Sequence, residues 1–364
     1  MKLIDIARLA NVSKTTASRA LADSPLVKEA TKKRVKEIAE QYNYHPHTLA
    51  RAMASQRSGI LGFCLLNKQH PQFGTSFFGP VLDGALQQAQ KDGYHLILAA
   101  NTGNYSFEEA FIQDAIEGVI LSSFDPANAI QVFQKRGIPQ VVINDVLDAD
   151  HTAFVIDDNY SGARAIMRHL IHDCGHRNIA IVTSRLSHTS YLLRYLAYRD
   201  ALAEAGLSPY ENDCFRNVDL YGGYDTFSNV IRREYGITDI PRVGTPVVVS
   251  SNRMEAGFEA VRQMIASGKL PSAIFAATDS LAVGVIKALQ QAGLRIPQDV
   301  AVAGYDDVPE AVATTPALTT IRVDRNSIGQ AAVRKLVQLI EHPDRKSETV
   351  YVPNKLIIRE STML

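Results

Sequence analysis

From Gly59 onward the chain repeats one pattern, short apolar runs separated by amphipathic stretches of helical period. The runs are Ile60 to Leu66, Tyr94 to Ala99, Gly118 to Leu121, Gln140 to Ile143 and Phe154 to Ile156. A second set follows at Asn178 to Val182, Pro246 to Ser250, Ala273 to Ala276 and Val300 to Ala303. Strands alternating with helices form parallel β-α-β units, because a parallel pair needs a crossover long enough to hold a helix. Two sets predict an α/β body of two doubly wound parallel sheets. Such sheets bind ligands at their carboxyl edges, so two lobes with facing edges would enclose a cleft.

The first 58 residues read differently. Leu3, Ile6, Ala7 and Ala10 recur at spacings of three and four, the stripe of a short helix with one buried face. Asn11-Val12-Ser13 then offers a residue tolerant of left-handed geometry, an apolar plug and a hydroxyl able to cap the next helix. That second helix spans roughly Lys14 to Ala22, with Ala17 and Leu21 inward and Lys14, Thr15, Ser18 and Arg19 outward. A third follows with Val35, Ile38, Ala39 and Tyr42 inward and Lys32, Lys33, Arg34 and Lys36 outward. Taken alone, Lys14 to Arg19 could be an ordinary solvated face; three short helices around one core instead make it the second helix of a helix-turn-helix.

Charge supports that reading. The 364 residues carry 38 Lys and Arg and 38 Asp and Glu, which at first argues against a polyanionic partner. The balance is uneven, however: residues 1–58 hold 11 basic residues against five acidic ones, so the rest of the chain is acidic. A basic head on an acidic body fits a DNA-reading module joined to an unrelated globular part. Three cysteines, Cys64, Cys174 and Cys214, fit neither a disulfide framework nor a zinc ribbon and read as reduced thiols. Charges interrupt every apolar stretch near the N-terminus and no run reaches membrane length, so a cytoplasmic protein with no membrane association is expected.

Several motifs then align with one family. Ile4-Asp5-Ile6-Ala7, Ala10-Asn11-Val12-Ser13-Lys14-Thr15-Thr16-Ala17-Ser18-Arg19, Tyr44-His45-Pro46 and Leu49-Ala50-Arg51-Ala52-Met53 resemble the head and hinge of the lactose/galactose-repressor family. In the body, Asp157-Asp158-Asn159, His169-Leu170-Ile171 with Gly175-His176-Arg177, Thr278-Asp279, Gly304-Tyr305-Asp306-Asp307 and Leu318-Thr319-Thr320-Ile321 are similar to the same family, whose body is like periplasmic sugar-binding proteins. The resemblance implies a head at 1–45, a hinge helix at 46–58, a first lobe of 59–158 with 324–342, and a second lobe of 159–323 with 343–364.

By that resemblance, Lys14, Thr15 and Arg19 address major-groove bases, with Arg19 suited to bidentate bonding with guanine. Ser13, Thr16 and Ser18 are better placed for phosphates. The hinge positions His47, Leu49, Ala50 and Met53 would meet the minor groove, with Met53 as the apolar wedge; a plain linker is the alternative for this stretch. In the body, the implied effector contacts are Asp145, Arg194 and Asp306, with Phe77 and Phe78 able to cover a sugar face and Thr278, Asp279 and Arg325 along the same edge. Carboxylates that accept from vicinal hydroxyls, with an Arg fork that donates, suit a polyhydroxylated ligand. Each Asp could instead cap a helix or turn, and Arg325 could pair with a cleft carboxylate or receive an acidic ligand.

The combined expectation is a homodimeric repressor of a carbohydrate-utilisation operon, reading a pseudo-palindromic operator and released by a sugar-like inducer. The C-terminal residues add no heptads of the tetramerising kind. No cofactor is implied. His169, His172, Cys174 and His176 invite a metal reading but lack a fourth oriented ligand, and Gly222-Gly223 lacks the context of a nucleotide cradle. Without a nucleophile elbow or P-loop, catalysis is not expected. A transport receptor and a regulator sensing a partner protein are the rival classes.

Overall fold

The computed structural model describes residues 2–21, 24–44, 57–66, 76–100, 116–123, 127–147, 149, 151–184, 186, 188–211, 247–248, 253–343 and 348–363. Its contacts separate two compact units, Met1–Ile60 with Asp114–Glu117, and Leu61–Gln113 with Gly118–Leu364.

The first unit carries α1 (Leu3–Leu9), α2 (Lys14–Leu21) and α3 (Glu29–Gln41). Ile6, Ala7, Ala10, Ala17, Ala20, Val27 and Val35 form its core. The turn between α1 and α2 works as its residues suggest: Asn11 takes φ 50, and the Ser13 hydroxyl accepts from the Thr16 amide at 3.0 Å. One inward assignment is corrected. Ala20 is fully buried beside a half-buried Leu21 that packs on the same core, whereas Tyr42 is 46% exposed because α3 has ended at Gln41. Tyr44 packs on the core in its place, its amide returning to Ala39 O at 2.8 Å.

The second unit is the α/β body. Its larger sheet has the order β11-β5-β4-β3-β1-β2, built from β1 (Ile60–Leu66), β2 (His95–Ala100), β3 (Gly118–Ser123), β4 (Gln140–Ile143), β5 (Thr152–Asp157) and β11 (Thr349–Val352). The smaller has the order β7-β6-β8-β9, from β6 (Ile179–Thr183), β7 (Val247–Val248), β8 (Ala273–Ala276) and β9 (Ala301–Ala303). The pairs β1–β3, β3–β4, β4–β5 and β5–β11 are parallel, as are all three pairs of the second sheet. The strands β4, β5, β6, β8 and β9 are buried along their whole length, as parallel strands covered by helices on both faces must be. No helix among the described residues is long and apolar enough to cross a membrane.

The chain passes between the lobes three times. It leaves β5 for α6 (Asn159–Arg168), which packs on α7 (Thr189–Glu204) of the second lobe. It returns after β10 (Thr320–Val323) into α11 (Arg325–Glu341), which packs on α4 (Phe78–Lys91) and on β3, β4 and β5. It crosses again between β11 and β12 (Asn354–Ile357), the latter antiparallel to β10. The segment 349–352 was expected in the second lobe; register pairing of Thr349–Val352 with Phe154–Asp157 puts it in the first sheet instead. Four β-branched and aromatic residues fit an open parallel edge equally well in either lobe, so only the pairing decides.

Each lobe is closed by one tight helix crossing. A Cβ on Gly84 of α4 would meet Asn326 O at 2.0 Å, and one on Gly329 of α11 would meet Val81 O at 1.9 Å. In the second lobe, α8 (Met254–Ala266) and α9 (Asp279–Gln291) meet the same way, through Gly257 against Leu281 O at 2.2 Å and Gly284 against Met254 O at 1.9 Å. Glycine in a helix interior ordinarily costs about 1 kcal/mol relative to alanine. Here the sign reverses: Gly284→Ala and Gly329→Ala should each destabilise by about 1–3 kcal/mol through overpacking. Urea midpoints measure this, and a gain in stability would show that the helices can separate freely.

Candidate functional site

On the head, Ser13, Lys14, Thr15 and Arg19 are exposed while Thr16 and Ser18 are half-buried. Positions 14, 15, 18 and 19 share one side of α2, opposite the buried Ala17 and Ala20. Neither Lys14 nor Arg19 has an ion-pair partner among the described residues. Ser13 is partly committed, since its hydroxyl caps α2 and lies 2.8 Å from the Thr16 hydroxyl. The hinge candidates His47, Leu49, Ala50 and Met53 lie outside the described residues.

In the body, the carboxyl edges of the two sheets are tied together. Ser76 Oγ donates to Glu310 Oε1 at 2.8 Å, and Ser190 Oγ donates to Asn144 O at 3.2 Å. Arg194 on α7 is only 2% exposed. Its Nε donates to Asn159 Oδ1 at 2.8 Å and its Nη1 to Ala277 O at 2.5 Å, while Nη2 lies 3.5 Å from Asp306 Oδ1. The guanidinium also covers the Tyr305 ring at 3.6 Å from its centroid. Tyr305 in turn donates through Oη to Asp157 Oδ2 at 2.8 Å, and Asn354 Nδ2 donates to Tyr305 Oη at 3.0 Å and to Asp158 O at 2.8 Å. The cluster therefore touches two crossover strands directly. It reaches the third through Asp306, whose carbonyl accepts from Arg325 Nη1 at 2.9 Å and from the Val323 amide at 3.5 Å.

Burial dominates the electrostatics. It pushes the Asp306 carboxyl up to about 8, with Arg194 opposing. Asp279 is pushed up to about 6 by burial, against bonds from Thr320 and Val308. Burial also raises Asp157 and Asp145 and lowers His188, which shares its pocket with Asp145. Burial works against the charge of Arg194, but Asp306, Tyr305 and Asp157 outweigh it and hold the guanidinium above its ordinary value.

The effector candidates thus divide. Arg194 and Asp306 meet, and Phe77 and Phe78 lie half-buried beside Ser76, their rings edge to face at 5.1 Å. Asp145 sits at the mouth of α7, where Oδ1 accepts from the Val146 amide at 2.9 Å and the Thr189 amide at 3.3 Å. Thr278 caps α9 through the Leu281 amide, and Asp279 is fully buried with its oxygens on Thr320 Oγ1 and the Val308 amide. Arg325 makes no ion pair among the described residues; it donates to the carbonyls of Asp306 and Asp307, at 2.9 and 3.0 Å. That corrects its expected pairing with a cleft carboxylate, and the reason is conformational: Asp306 at φ 117 and Asp307 at φ 52 need to be pinned.

Sequence reasoning assigned no role to Asp157, Asn159, Tyr305 or His188, although the first three lie within motifs quoted for the family resemblance. It also missed Ser122 and Thr183, near the carboxyl ends of β3 and β6, whose buried hydroxyls have no partner among the described residues. Their signal was positional, a polar residue closing an apolar run. The histidine and cysteine cluster has other work: His169 lies 3.1 Å from Asp173 Oδ2 and 2.9 Å from Thr362 Oγ1, and His176 lies 3.2 Å from Ser272 Oγ.

A helix-turn-helix with a free cationic face, on one chain with a two-lobed body enclosing a buried charged cluster, defines a DNA-binding regulator under ligand control. Residues 2–47 match the model "Bacterial regulatory proteins, lacI family", residues 61–220 match "Periplasmic binding proteins and sugar binding domain of LacI family", and residues 167–362 match "Periplasmic binding protein-like domain". The chain is 30% identical over 362 residues to the probable HTH-type transcriptional repressor ExuR of Bacillus subtilis (strain 168), covering 98% of this chain and 97% of that one. It is 28% identical over 366 residues to the ribose operon repressor of Haemophilus influenzae, covering 98% and 97%. Its fold is that of the lac repressor dimer bound to operator and the anti-inducer ONPF, with a TM-score of 0.75 and 22% identity over 100% of this chain and 99% of that one. The chain belongs to the lacI family of bacterial regulatory proteins and is an effector-responsive, DNA-binding transcription regulator. Both relatives are named as repressors, not enzymes.

The raised Asp306 gives a pH signature. A carboxyl with a folded-state pKa of about 8 binds a proton in the native state that the unfolded chain has released above about 4, so native stability falls as pH rises between these values. The stability of wild type relative to Asp306→Asn should fall by up to ~1.4 kcal/mol per pH unit over that window and level off above pH 8. Urea titrations at several pH values test this; a constant difference would mean that Asp306 is ionised throughout.

Proposed function

We propose that this chain is a homodimeric repressor of carbohydrate-utilisation genes that leaves a pseudo-palindromic operator when a neutral, hydroxyl-rich effector enters the cleft. The observation that carries the reading is the Arg194 cluster, where donors and acceptors converge at the carboxyl edges of both lobes. A ring bearing vicinal hydroxyls can accept from the guanidinium and donate to Asp306 at once. Phe77 and Phe78 would cover its apolar face, and Ser122 and Thr183 would take further hydroxyls. Asp145, Thr278, Asp279 and Arg325 would shape the cleft from behind, through the caps and turns they hold.

On the head, Lys14, Thr15 and Arg19 would read bases while Ser13, Thr16 and Ser18 position the phosphates. His47, Leu49, Ala50 and Met53 would form the hinge contacts at the operator centre. Two heads related by a dimer axis would meet two half-sites. The ribose operon repressor among the relatives favours a sugar as the effector class. The assignment is to a cytoplasmic protein without catalytic activity, needing neither cofactor nor metal.

Two variants test the two ends. Arg19→Ala should lose about 1–3 kcal/mol of operator preference while keeping weak, salt-sensitive binding to any duplex. Arg194→Ala should bind operator in the absence of effector yet fail to release it when sugars are added. Fluorescence anisotropy on operator and scrambled duplexes, with a panel of pentoses and hexoses, reads both; normal discrimination by Arg19→Ala or normal release by Arg194→Ala would overturn the respective assignment.

A further inference from the structure

On one flank of the second lobe, α6 and α7 pack together and run in the same direction, and their facing side chains make rungs one helical turn apart. Tyr160 Oη donates to Asp200 Oδ2 at 2.8 Å, and Arg164 forks onto Glu204 through Nη1 at 2.8 Å and Nη2 at 2.5 Å. The ladder stops there because α7 ends at Glu204, where Gly206 takes φ 66 and the Leu207 amide returns to Leu202 O at 2.8 Å. The neighbouring helix continues through Arg168 into a π-helical turn, His169–Asp173. Its next two outward side chains, Arg168 and His172, are exposed and have no hydrogen bond or ion pair among the described residues.

An open pocket of about 170 Å³ lies at this point, lined by Arg164, Arg168 and His172, with Glu204 across from them. Ile171 and Ala201, both buried, form its floor. Glu204 is already matched by Arg164, so the positive charge of Arg168 is left over, and the His172 imidazole can add a ring N–H donor beside it. The pocket therefore combines an excess of fork-shaped and imidazole donors at its rim with an apolar base. A guanidinium fork fits phosphate oxygens bidentately, and a phosphate offers further oxygens to a neighbouring donor. Wide π-helical turns concentrate at functional positions, and this one sits where the unpaired cations emerge.

We propose that this flank pocket binds a small phosphorylated metabolite, with its phosphate between Arg168 and His172 and its organic body over Ile171 and Ala201. The site is separate from the Arg194 cleft and does not depend on the effector assigned to it.

The test is calorimetric titration of the full-length protein with ribose 5-phosphate as probe and inorganic phosphate as a second arm, at moderate ionic strength. Four proteins are compared: wild type, Arg168→Glu, His172→Gln and the cleft variant Arg194→Met. Binding of ribose 5-phosphate should weaken at least tenfold in Arg168→Glu and severalfold in His172→Gln, with Arg194→Met unchanged and inorganic phosphate bound more weakly than the sugar phosphate. Both flank substitutions are on exposed side chains, and an unaltered melting temperature confirms that each variant is folded. Undetectable binding to wild type, equal affinity in both flank variants, or loss confined to Arg194→Met would each overturn the proposal. Inorganic phosphate binding as tightly as ribose 5-phosphate would overturn the metabolite assignment, since the floor would then contribute nothing.

Discussion

A guanidinium removed from water must be met by acceptors and negative charge on every side, because an uncompensated buried charge costs several kcal/mol. Arg194 imposes that condition on the body. Asn159 and the Ala277 carbonyl take its donors, the Tyr305 ring covers one face, and the Asp306 carboxyl stands 3.5 Å from Nη2. Burial, with smaller contributions from Asp279 and Asp157, holds the Asp306 carboxyl high against the pull of Arg194. The site also holds an unfavourable backbone in place. The Asp306–Asp307 pair has positive φ, costing roughly 1–3 kcal/mol per residue. Arg325 grips its two carbonyls, while Arg322 and Arg359 grip the Asp307 carboxylate at 2.6 and 2.7 Å.

Around this cluster the body is built twice. Reading from β2, the first sheet runs β2-β1-β3-β4, and the second runs β7-β6-β8-β9, the same winding with the first strand displaced inward. Each copy is closed by a glycine-to-backbone helix crossing, so each lobe is rigid where its helices meet. Rigid lobes leave the crossover strands as the places where the body can change shape.

Much of this could be read from residues alone. Asn11 and Ser13 announced the turn of the head because left-handed geometry and a capping hydroxyl each need a particular kind of residue there. The strands β1 to β9 followed from apolar runs, with ends off by a residue or two, while no run was read at β11. Tyr42 was misread because periodicity continues past Gln41, whereas the helix itself does not. Thr349–Val352 was misplaced because a four-residue strand says nothing local about which sheet it joins. Asp145, Thr278 and Asp279 illustrate a further limit. A cap and a ligand contact ask for the same side chain, and only the amide positions of Val146, Thr189, Leu281 and Val308 separate them. The same holds for Arg325, whose carbonyl partners exist only because of the unusual φ of two neighbours.

The three passages between the lobes carry a mechanical implication. Asn159 begins the first just after Asp157, Val323 and Arg325 flank the second, and Asn354 opens the third; each is hydrogen-bonded to a member of the Arg194 cluster. Sensor and joint are thus one set of atoms, like a beam balance whose weighing pan is fixed to its own pivot. A guest that redistributes charge there applies torque at the fulcrum itself, with no intervening relay to dissipate it.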